Sequence, residues 1–248
     1  MSSPQALDRF SPLTRSWFAG TFVQPTPAQA QAWSAIANGD NTLVIAPTGS
    51  GKTLAAFLWA IDRLAHQPDV RGTRVLYVSP LKALAVDVER NLRTPLTGIT
   101  RIAERHGTPA PDISVGVRSG DTPPKRRREL ITKPPDILIT TPESLFLMLT
   151  SAARETLTSV QTVIVDEVHA VAGTKRGAHL ALSLERLDAL LAAPAQRIGL
   201  SATVRPPEEV ARFLSGGKTG TKVVAPPAAK TFDLAVQVPV PDMANLEN

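Results

Sequence analysis

The chain reads TLVIAPTGSGKT from Thr42 to Thr53. An apolar, β-branched segment typical of a buried strand runs directly into a loop with two glycines, and a helical pattern begins at Lys52. A strand, a glycine-containing loop and a helix in this order form an anion site, because successive backbone N–H groups converge at the start of the helix. We therefore predict that residues 46–53 bind phosphate.

The predicted phosphate-binding loop also offers side chains to a nucleotide. Lys52 is placed to reach β- and γ-phosphates, and the Thr53 hydroxyl is placed to ligate Mg²⁺, so ATP and Mg²⁺ are the expected ligands. The predicted nucleotide-binding residues of the loop are Ala46, Pro47, Thr48, Gly49, Ser50, Gly51, Lys52 and Thr53. Ala46 stands where the general pattern has a glycine, and a glycine-containing turn without a ligand is the alternative.

Short apolar segments alternate with helical patterns between about residues 40 and 224. The predicted strands are Thr42–Ala46, Arg74–Ser79, Ile113–Arg118, Asp136–Thr140, Thr162–Asp166, Arg197–Ser201 and Thr221–Val224. The predicted helices are Pro27–Ala37, Lys52–His66, Leu81–Asn91, Pro124–Ile131, Pro142–Leu149, Gly177–Leu191 and Pro207–Leu214. Most strands are continuously apolar, as strands buried on both faces are. We predict an α/β fold with a mostly parallel sheet of about seven strands and helices on both faces.

The same patterns divide the chain into three parts. Residues 1–38 form an N-terminal segment, and residues 39–225 form the α/β block. Residues 226–248 are proline-containing and hold one strand candidate at Asp233–Val238. We interpret this last part as a linker.

An acidic pair ends one of the predicted strands. The apolar segment Thr162–Asp166 is followed by Glu167, Val168 and His169. A phosphate-binding loop needs a carboxylate that holds Mg²⁺ from the opposite side. We predict that Asp166 holds the metal through water, together with the Thr53 hydroxyl, and that Glu167 accepts a proton from the attacking water. Lys52, Asp166 and Glu167 are thus the predicted catalytic residues, and an ordinary acidic turn is the alternative.

Composition excludes several classes of protein. The 248 residues contain no cysteine, which excludes a disulfide framework, thiolate catalysis and Cys-ligated zinc. No unbroken apolar segment is long enough to span a membrane, and the first ten residues do not resemble a secretory signal. We therefore expect a cytoplasmic protein with no membrane partner.

The net charge of +5 is unevenly distributed. Residues 101–133 hold eight basic and four acidic side chains and so carry most of the excess. A clustered positive charge suits a polyanion such as nucleic acid, although a solvated surface fits equally well. Aromatic residues make up only 4% of the chain, which argues against a base-stacking platform. Any nucleic-acid contact is therefore expected to be with phosphates.

Five short motifs, in addition to the phosphate-binding loop, carry a resemblance to a known family. They are Pro25–Gln29, Ser79–Leu84, Thr140–Ser144, Asp166–His169 and Ser201–Thr203. In this order they resemble the first RecA-like motor domain of a superfamily 2 DExH-box helicase. The segment that follows the acidic pair, from Gly173 to Leu187, narrows the resemblance to the large helicase-related (Lhr) proteins of bacteria.

The resemblance implies roles for further residues. Gln29 reads adenine, and His169, Ser201 and Thr203 couple the state of ATP to the bound strand. The residues implied in nucleic-acid binding are Pro80, Lys82, Arg118, Ser119, Gly120, Thr141, Pro142 and Glu143. The motifs at Pro80 and Thr141 follow parallel strands and open helices, so both are expected at the carboxyl edge of the sheet, where helix N-termini meet phosphates.

The family implies an ATP-dependent DNA helicase that moves 3′ to 5′ on single-stranded DNA and is linked to DNA repair. Its motors have two RecA-like domains, and the second supplies an arginine worth about 10³–10⁵ in rate in related NTPases. No second such domain fits after residue 225, so we expect this chain alone to hydrolyse ATP poorly. A non-catalytic nucleic-acid-binding module, an RNA helicase of the same superfamily and a different P-loop enzyme are the alternatives.

Overall fold

Seven parallel strands form one sheet in the computed structural model, which describes residues 3–67, 70–218 and 220–227. The strand order across the sheet is β3-β4-β2-β5-β6-β1-β7, and every neighbouring pair is parallel. The strands are β1 Thr42–Ile45, β2 Val75–Val78, β3 Val115–Arg118, β4 Ile137–Thr140, β5 Thr162–Val165, β6 Gln196–Ser201 and β7 Lys222–Val224. The predicted α/β fold is confirmed, and each strand begins and ends within two residues of its prediction.

Helices cover both faces of the sheet. They are α1 Ser3–Leu7, α2 Pro12–Thr21, α3 Pro27–Ala37, α4 Lys52–Ala65, α5 Lys82–Arg105, α6 Pro124–Thr132, α7 Pro142–Leu149, α8 Val168–Val171, α9 Lys175–Leu190 and α10 Pro207–Leu214. A 3₁₀ helix covers Ala152–Leu157. In the described ranges, no helix has the length and apolarity to cross a lipid bilayer. The strand candidate Asp233–Val238 lies outside the described residues.

Helix α5 is longer than the sequence predicts. The expected helix Leu81–Asn91 is wrong at its end, because the observed one continues through Pro95 to Arg105. A proline inside a helix costs about 3 kcal/mol and is read as a stop. Here the buried face continues beyond it, with Leu92 and Ile99 almost fully buried on the two sides of the proline. Burial of that face outweighs the lost hydrogen bond.

Alternate residues of most strands enter two separate apolar cores. In β1, Leu43 packs in the core beneath α7 to α10, and Val44 packs in the core beneath α3, α4 and α5. This arrangement explains why the strands are continuously apolar. Helix α3 contributes Trp33 to the second of these cores, where the ring is fully buried and its Nε1–H donates to Ala55 O at 2.9 Å. The N-terminal segment therefore packs against the α/β block.

Because all strands are parallel, their carboxyl ends meet at one edge of the sheet. The predicted site residues fall into two sets that lie at different places along this edge. The β3–β4–β2 half carries Arg118, Pro80 and Thr141, while the β5–β6–β1 half carries the acidic pair, Ser201 and the loop 46–53. Ligands of open α/β sheets bind at this edge.

Candidate nucleotide and nucleic-acid site

The loop between β1 and α4 takes its shape from two glycines. Gly49 and Gly51 have φ of +80° and +79°, in the left-handed region that favours glycine. A Cβ on Gly49 would meet open space, so the backbone there leaves room beside the loop. Pro47, Thr48 and Gly49 are exposed, whereas Ser50, Gly51 and Thr53 are half-buried. The loop therefore presents its backbone to a ligand, and it is followed at once by the N-terminus of α4.

Lys52 is held beneath the loop as a buried cation. Its side chain is 8% exposed, and Nζ donates hydrogen bonds to Ala46 O and, at 3.0 Å, to Pro47 O. Burial lowers the pKa of Lys52, while Glu167 and Asp166 oppose this by raising it. A desolvated ammonium that has only carbonyl oxygens as direct partners attracts an anion strongly. This chemistry fits a nucleotide phosphate.

Asp166 lies at the carboxyl end of β5 with both carboxylate oxygens engaged. Oδ2 accepts a hydrogen bond from the Tyr77 hydroxyl, and Oδ1 accepts one from Glu167 N at 2.9 Å. The residue is 7% exposed, and burial raises the pKa of Asp166 against the lowering effects of Tyr77, Glu167 N–H and Lys52. These bonds fix the orientation of the carboxylate, as outer-shell partners of metal ligands do.

Tyr77 was not among the predicted site residues. Its ring stacks on Phe57 with centroids 4.8 Å apart, and burial raises the pKa of its hydroxyl, so it stays protonated as a donor. The sequence did hold a signal for this role, because Tyr77 is the only tyrosine of the chain and stands in an otherwise apolar strand. A buried hydroxyl needs a partner, and here that partner is Asp166.

The donor set suits Mg²⁺ better than a metal that requires a protein cage. Within the described ranges, no group of three or more His, Asp or Glu side chains is placed to hold a metal ion. Mg²⁺ keeps several waters and takes one or two carboxylates together with substrate phosphates. Asp166 and the Thr53 hydroxyl, the predicted magnesium ligands, are groups of the kind that this requires. Ser50 Oγ, which is buried without a hydrogen-bond partner, is a further polar group of the loop that a ligand can satisfy.

Glu167 is linked to the end of β6 through His169. The Glu167 carboxylate lies 3.3 Å from His169 Nε2, and Ala202 N donates to His169 Nδ1 at 3.3 Å. Nδ1 is therefore the acceptor nitrogen, and Nε2 carries the hydrogen that faces Glu167. Ser201 Oγ lies 3.2 Å from the same Nδ1, whereas Thr203 is exposed. The structure thus brings His169 and Ser201 together with the predicted proton acceptor.

Glu167 itself has an unusual backbone. Its φ of 44° is the one positive value at a non-glycine residue in the described part of the chain. Such a conformation costs about 1–2 kcal/mol and persists where the surroundings fix it. It turns the chain sharply between β5 and α8 and presents the Glu167 side chain at the sheet edge.

Gln29 is buried and fastens α3 to the phosphate-binding loop. Its Oε1 accepts from Thr26 N at 2.9 Å in a capping box, and its Nε2 lies 3.4 Å from Gly51 O. Thr26 Oγ1 donates to Ser50 O at 3.0 Å. The amide retains one N–H and one lone pair for a nucleobase. Gln29 is therefore adjacent to the loop and helps to hold α3 against it, while its role in reading adenine stays a prediction.

The predicted strand-binding residues lie together in the β3–β4–β2 half. Thr141 is 2% exposed and caps α7 by accepting from Ser144 N at 3.4 Å, so its hydroxyl is committed to the helix. Pro80 and Pro142 are buried beside it, and Glu143 is exposed. The side chain of Lys82 lies outside the described residues. Backbone groups at the starts of α5 and α7 are thus the main features that this half offers.

The turn after β3 completes this half. Ser119 N donates to Thr122 Oγ1 at 2.9 Å, and Gly120 is exposed at the tip. Arg118 is 9% exposed, and its carbonyl accepts from Thr140 Oγ1 at 2.8 Å, which ties the turn to β4. The predicted residues Arg118, Ser119 and Gly120 are therefore at the same edge as Thr141.

Arg176 joins the two motifs of this half and was not predicted as a site residue. Its guanidinium donates to both carboxylate oxygens of Glu143, at 2.5 and 2.9 Å, and to Pro80 O. The hydrogen bond from Arg176 lowers the pKa of Glu143 to about 2. Arg176 stands in α9, within the segment Gly173–Leu187 that narrows the resemblance to the Lhr proteins. Predicting that Arg176 pairs with Glu143 and Pro80 requires the order of the strands in the sheet, which the sequence pattern does not give.

A family model of DEAD/DEAH box helicases matches residues 26–212. The chain belongs to this family. It is 81% identical over 245 residues to the "Lhr helicase/ probable uracil glycosylase" of Mycolicibacterium smegmatis, covering 98% of this chain and 16% of that protein. It is 57% identical to the Lhr helicase/uracil glycosylase of Escherichia coli, with coverage of 97% and 16%. The predicted resemblance to Lhr proteins is confirmed, and the chain spans about a sixth of these relatives.

Solved structures agree with the fold. The structure of Mycobacterium smegmatis helicase Lhr bound to ssDNA and AMP-PNP matches with a TM-score of 0.90 at 82% identity, covering 98% of this chain and 31% of that one. DEAD-box helicase Mss116 bound to ssRNA and UDP-BeF matches with a TM-score of 0.74 at 17% identity, covering 90% and 45%, and shows the fold alone. The predicted RecA-like architecture is confirmed.

Proposed function

We propose that this chain is the ATP-binding half of a helicase motor that moves along single-stranded nucleic acid, with DNA as its substrate. The main support for this proposal is that one sheet edge holds two distinct sets of groups, one suited to a nucleotide and one suited to a nucleic-acid strand. The β5–β6–β1 half presents a buried lysine, an acidic pair and an open backbone loop. The β3–β4–β2 half presents helix starts and an exposed turn. The ssDNA and AMP-PNP of the related M. smegmatis structure support both ligands.

In the nucleotide half, Lys52 and the N–H groups of residues 46–53 bind the triphosphate. Thr53 and Asp166 would hold Mg²⁺, which, when bound, neutralises charge on the β- and γ-phosphates. Glu167 accepts the proton of the attacking water. The Nε2–H of His169 keeps the Glu167 carboxylate in place, and Ala202 N fixes that tautomer of His169.

In the strand half, the N-termini of α5 and α7 offer backbone N–H groups to phosphates. Arg118, Ser119 and Gly120 add a third contact after β3. Phosphate contacts do not read bases, so binding is expected to be weakly sequence-dependent and strongly salt-dependent. The 3′ to 5′ direction and the link to DNA repair enter the proposal from the family resemblance alone.

The second RecA-like domain is the proposed partner of this edge, reached through residues 226–248. We further place the protein in the cytoplasm, since a chain without cysteine suits a reducing compartment. The other domain supplies the arginine worth about 10³–10⁵ in rate. This chain alone therefore binds Mg-ATP and turns it over slowly.

Phosphate release from Mg-ATP tests this proposal directly. The chain is assayed with and without single-stranded DNA, beside Glu167→Gln and the matched exposed control Glu208→Gln. We expect turnover near background in every sample, while a longer chain with the second domain shows strand-stimulated turnover that Glu167→Gln abolishes and Glu208→Gln keeps. A longer chain that binds both ligands without turnover would instead be a non-catalytic module.

Two further outcomes correct parts of the proposal. Strand-stimulated turnover by this chain alone, abolished by Glu167→Gln, would mean that it supplies its own arginine. Tighter binding of oligouridylate than of oligothymidylate by the same chain would favour an RNA helicase, because only RNA carries the 2′-hydroxyl.

A further inference from the structure

A groove between α2 and α5 lies apart from both halves of the sheet edge. It has a volume of about 410 Å³ and is lined by Trp17, Arg93, Thr94, Thr97, Gly98 and Arg101. None of these residues belongs to the phosphate-binding loop, the acidic pair or the predicted strand-binding set. At 1.5 Å per residue, Arg93 and Arg101 stand about 16 and 28 Å along α5 from its first residue, which lies at the sheet edge. The proposed function therefore gives this α2–α5 groove no role.

Trp17 brings an unused hydrogen-bond donor to the α2–α5 groove. The residue is 5% exposed, and its indole packs on α5 at Gly98, where a Cβ would overlap Nε1 and Cδ1. The nitrogen edge of the ring is therefore the edge that faces α5. Among the described residues its Nε1–H has no hydrogen-bond partner, and this atom is not one of the polar atoms sealed from solvent. The indole of Trp33, by contrast, donates to Ala55 O. An N–H group on a buried ring needs an acceptor, which a ligand in the groove would supply.

One face of α5 adds further donors to the groove. Arg93, Thr97 and Arg101 follow at intervals of four residues, which places them in a row on the helix. All three are exposed, as is Thr94. Arg93 pairs with Glu89 at 3.3 Å near solvent, whereas Arg101 has no ion pair with a carboxylate of the described residues. The groove thus offers two guanidinium groups, two hydroxyls and an indole N–H, and no carboxylate of the described residues lines it.

We propose that the α2–α5 groove binds a phosphate group at a site separate from residues 46–53. Guanidinium groups bind phosphate oxygens through paired N–H donors, and hydroxyl and indole groups add neutral donors. Arg93 and Arg101 lie about 12 Å apart along the helix, so their long side chains can reach one anion above Thr97 from both sides. The phosphate belongs to a nucleic-acid backbone away from the sheet edge or to a free phosphorylated molecule, and the chemistry of the site is the same for both.

The indole N–H of Trp17 reports directly on this site. The chain has three tryptophans, so a proton–nitrogen correlation spectrum contains three indole cross-peaks. The Trp17 cross-peak is assigned by its nuclear Overhauser contact with Gly98, which the close approach of the ring predicts. We expect pyrophosphate to shift this cross-peak in a saturable manner. The same shift is expected in Lys52→Ala, because the groove does not depend on the phosphate-binding loop.

Arg101→Gln and Arg105→Gln form a matched pair of variants. Each removes one positive charge from an exposed position of α5, but only Arg101 lines the groove. Arg101→Gln should weaken pyrophosphate binding at least about tenfold, the loss expected for one hydrogen bond to a charged group, whereas Arg105→Gln should keep the wild-type affinity. Glutamine has nearly the helix propensity of arginine, so both variants should keep the fold.

An oligothymidylate used in place of pyrophosphate identifies the source of the phosphate. A Trp17 shift that the oligonucleotide causes and Arg101→Gln abolishes would support the site and assign it to a nucleic-acid backbone. A shift with pyrophosphate alone would support the site and assign it to a free phosphorylated molecule. A Trp17 cross-peak that moves with neither probe, or equal affinities in Arg101→Gln and Arg105→Gln, would overturn the site.

Discussion

The two halves of the sheet edge are assembled in different ways. In the β5–β6–β1 half, Lys52 bonds Ala46 O only six residues away in sequence, and both are buried. In the β3–β4–β2 half, the partly exposed Arg176 bonds Pro80 O, which is 96 residues away. The phosphate-binding loop is thus built around a desolvated bond that is local in sequence, whereas the two motifs of the strand half are joined by a long-range bond near solvent. Substitutions should therefore have large effects in the first half and small effects in the second.

The largest expected effect is that of Lys52→Ala. Loss of a buried charged donor to phosphate should cost about 3 kcal/mol, or roughly 100-fold in affinity. Calorimetric titration with Mg-AMP-PNP measures this, and Lys133→Ala, which removes an exposed lysine, serves as the control. Unchanged nucleotide affinity in Lys52→Ala would show that residues 46–53 do not bind phosphate. The comparison between the nucleotide half and the strand half of the sheet edge would then fail as well.

Gly51→Ala probes how tightly the loop is built. A Cβ there would lie 2.4 Å from Gln29 Nε2, in addition to the strain of φ +79°. Gly39→Ala has a similar φ of +85° but meets nothing within 4 Å. We expect unfolding free energies lowered by about 1 kcal/mol for Gly39→Ala and about 2 kcal/mol for Gly51→Ala, measured by urea denaturation. Equal losses of unfolding free energy in the two variants would show that the Gln29 side chain moves away from the new Cβ at no cost.

Tyr77→Phe isolates one hydroxyl. The ring can still stack on Phe57, but Asp166 loses a donor. Outer-shell partners of metal ligands are worth about 10–100-fold in metal affinity, and we expect the lower end for this variant. A Mg²⁺ titration of nucleotide binding gives the result, with binding in EDTA as the internal control. An unchanged Mg²⁺ requirement would mean that the backbone alone positions Asp166.

The smallest effect is expected in the strand half, from Glu143→Gln. The hydrogen bond from Arg176 lowers the pKa of Glu143 to about 2 from a model-peptide value near 4.5. A lowered carboxyl pKa stabilises the fold above about pH 4.5, and this stabilisation disappears as the pH falls toward 2. Because the side chain is 55% exposed, solvent screening keeps the contribution below about 1 kcal/mol.

Unfolding free energies of wild type and Glu143→Gln, measured between pH 6 and pH 2.5, test this expectation (roughly the range over which such a carboxyl titrates). The difference between the two proteins should shrink as the pH falls. Glu155→Gln, which disrupts an exposed pair with the adjacent Arg154, is the matched control. A difference that stays constant with pH would show that the charge of Glu143 contributes nothing.

Separation in sequence, in either half, explains what the sequence predicts and what it does not. The loop 46–53 and the acidic pair are contiguous motifs, so their residues were predictable from spacing alone. Tyr77 and Arg176 were missed because their partners lie 89 and 96 residues away. These partners come into contact because β2 lies between β4 and β5. The order of strands across the sheet cannot be deduced from the alternation of strands and helices along the sequence. The predicted end of helix α5 at Asn91 was wrong for a related reason, since packing of the residues beyond it continues the helix to Arg105.

The position of β1 has a consequence for synthesis of the protein. β1 pairs with β6 and β7, so that Thr42 lies opposite Ile198 on one side and Lys222 on the other. The strand that leads into the phosphate-binding loop is therefore made early and lacks both neighbours until almost the whole sheet has been translated. Such late, non-local pairing slows folding and leaves an apolar strand exposed meanwhile. A nascent chain that ends before β6 contains the sequence of the phosphate-binding loop but lacks β6 and β7, the two strands that pair with β1.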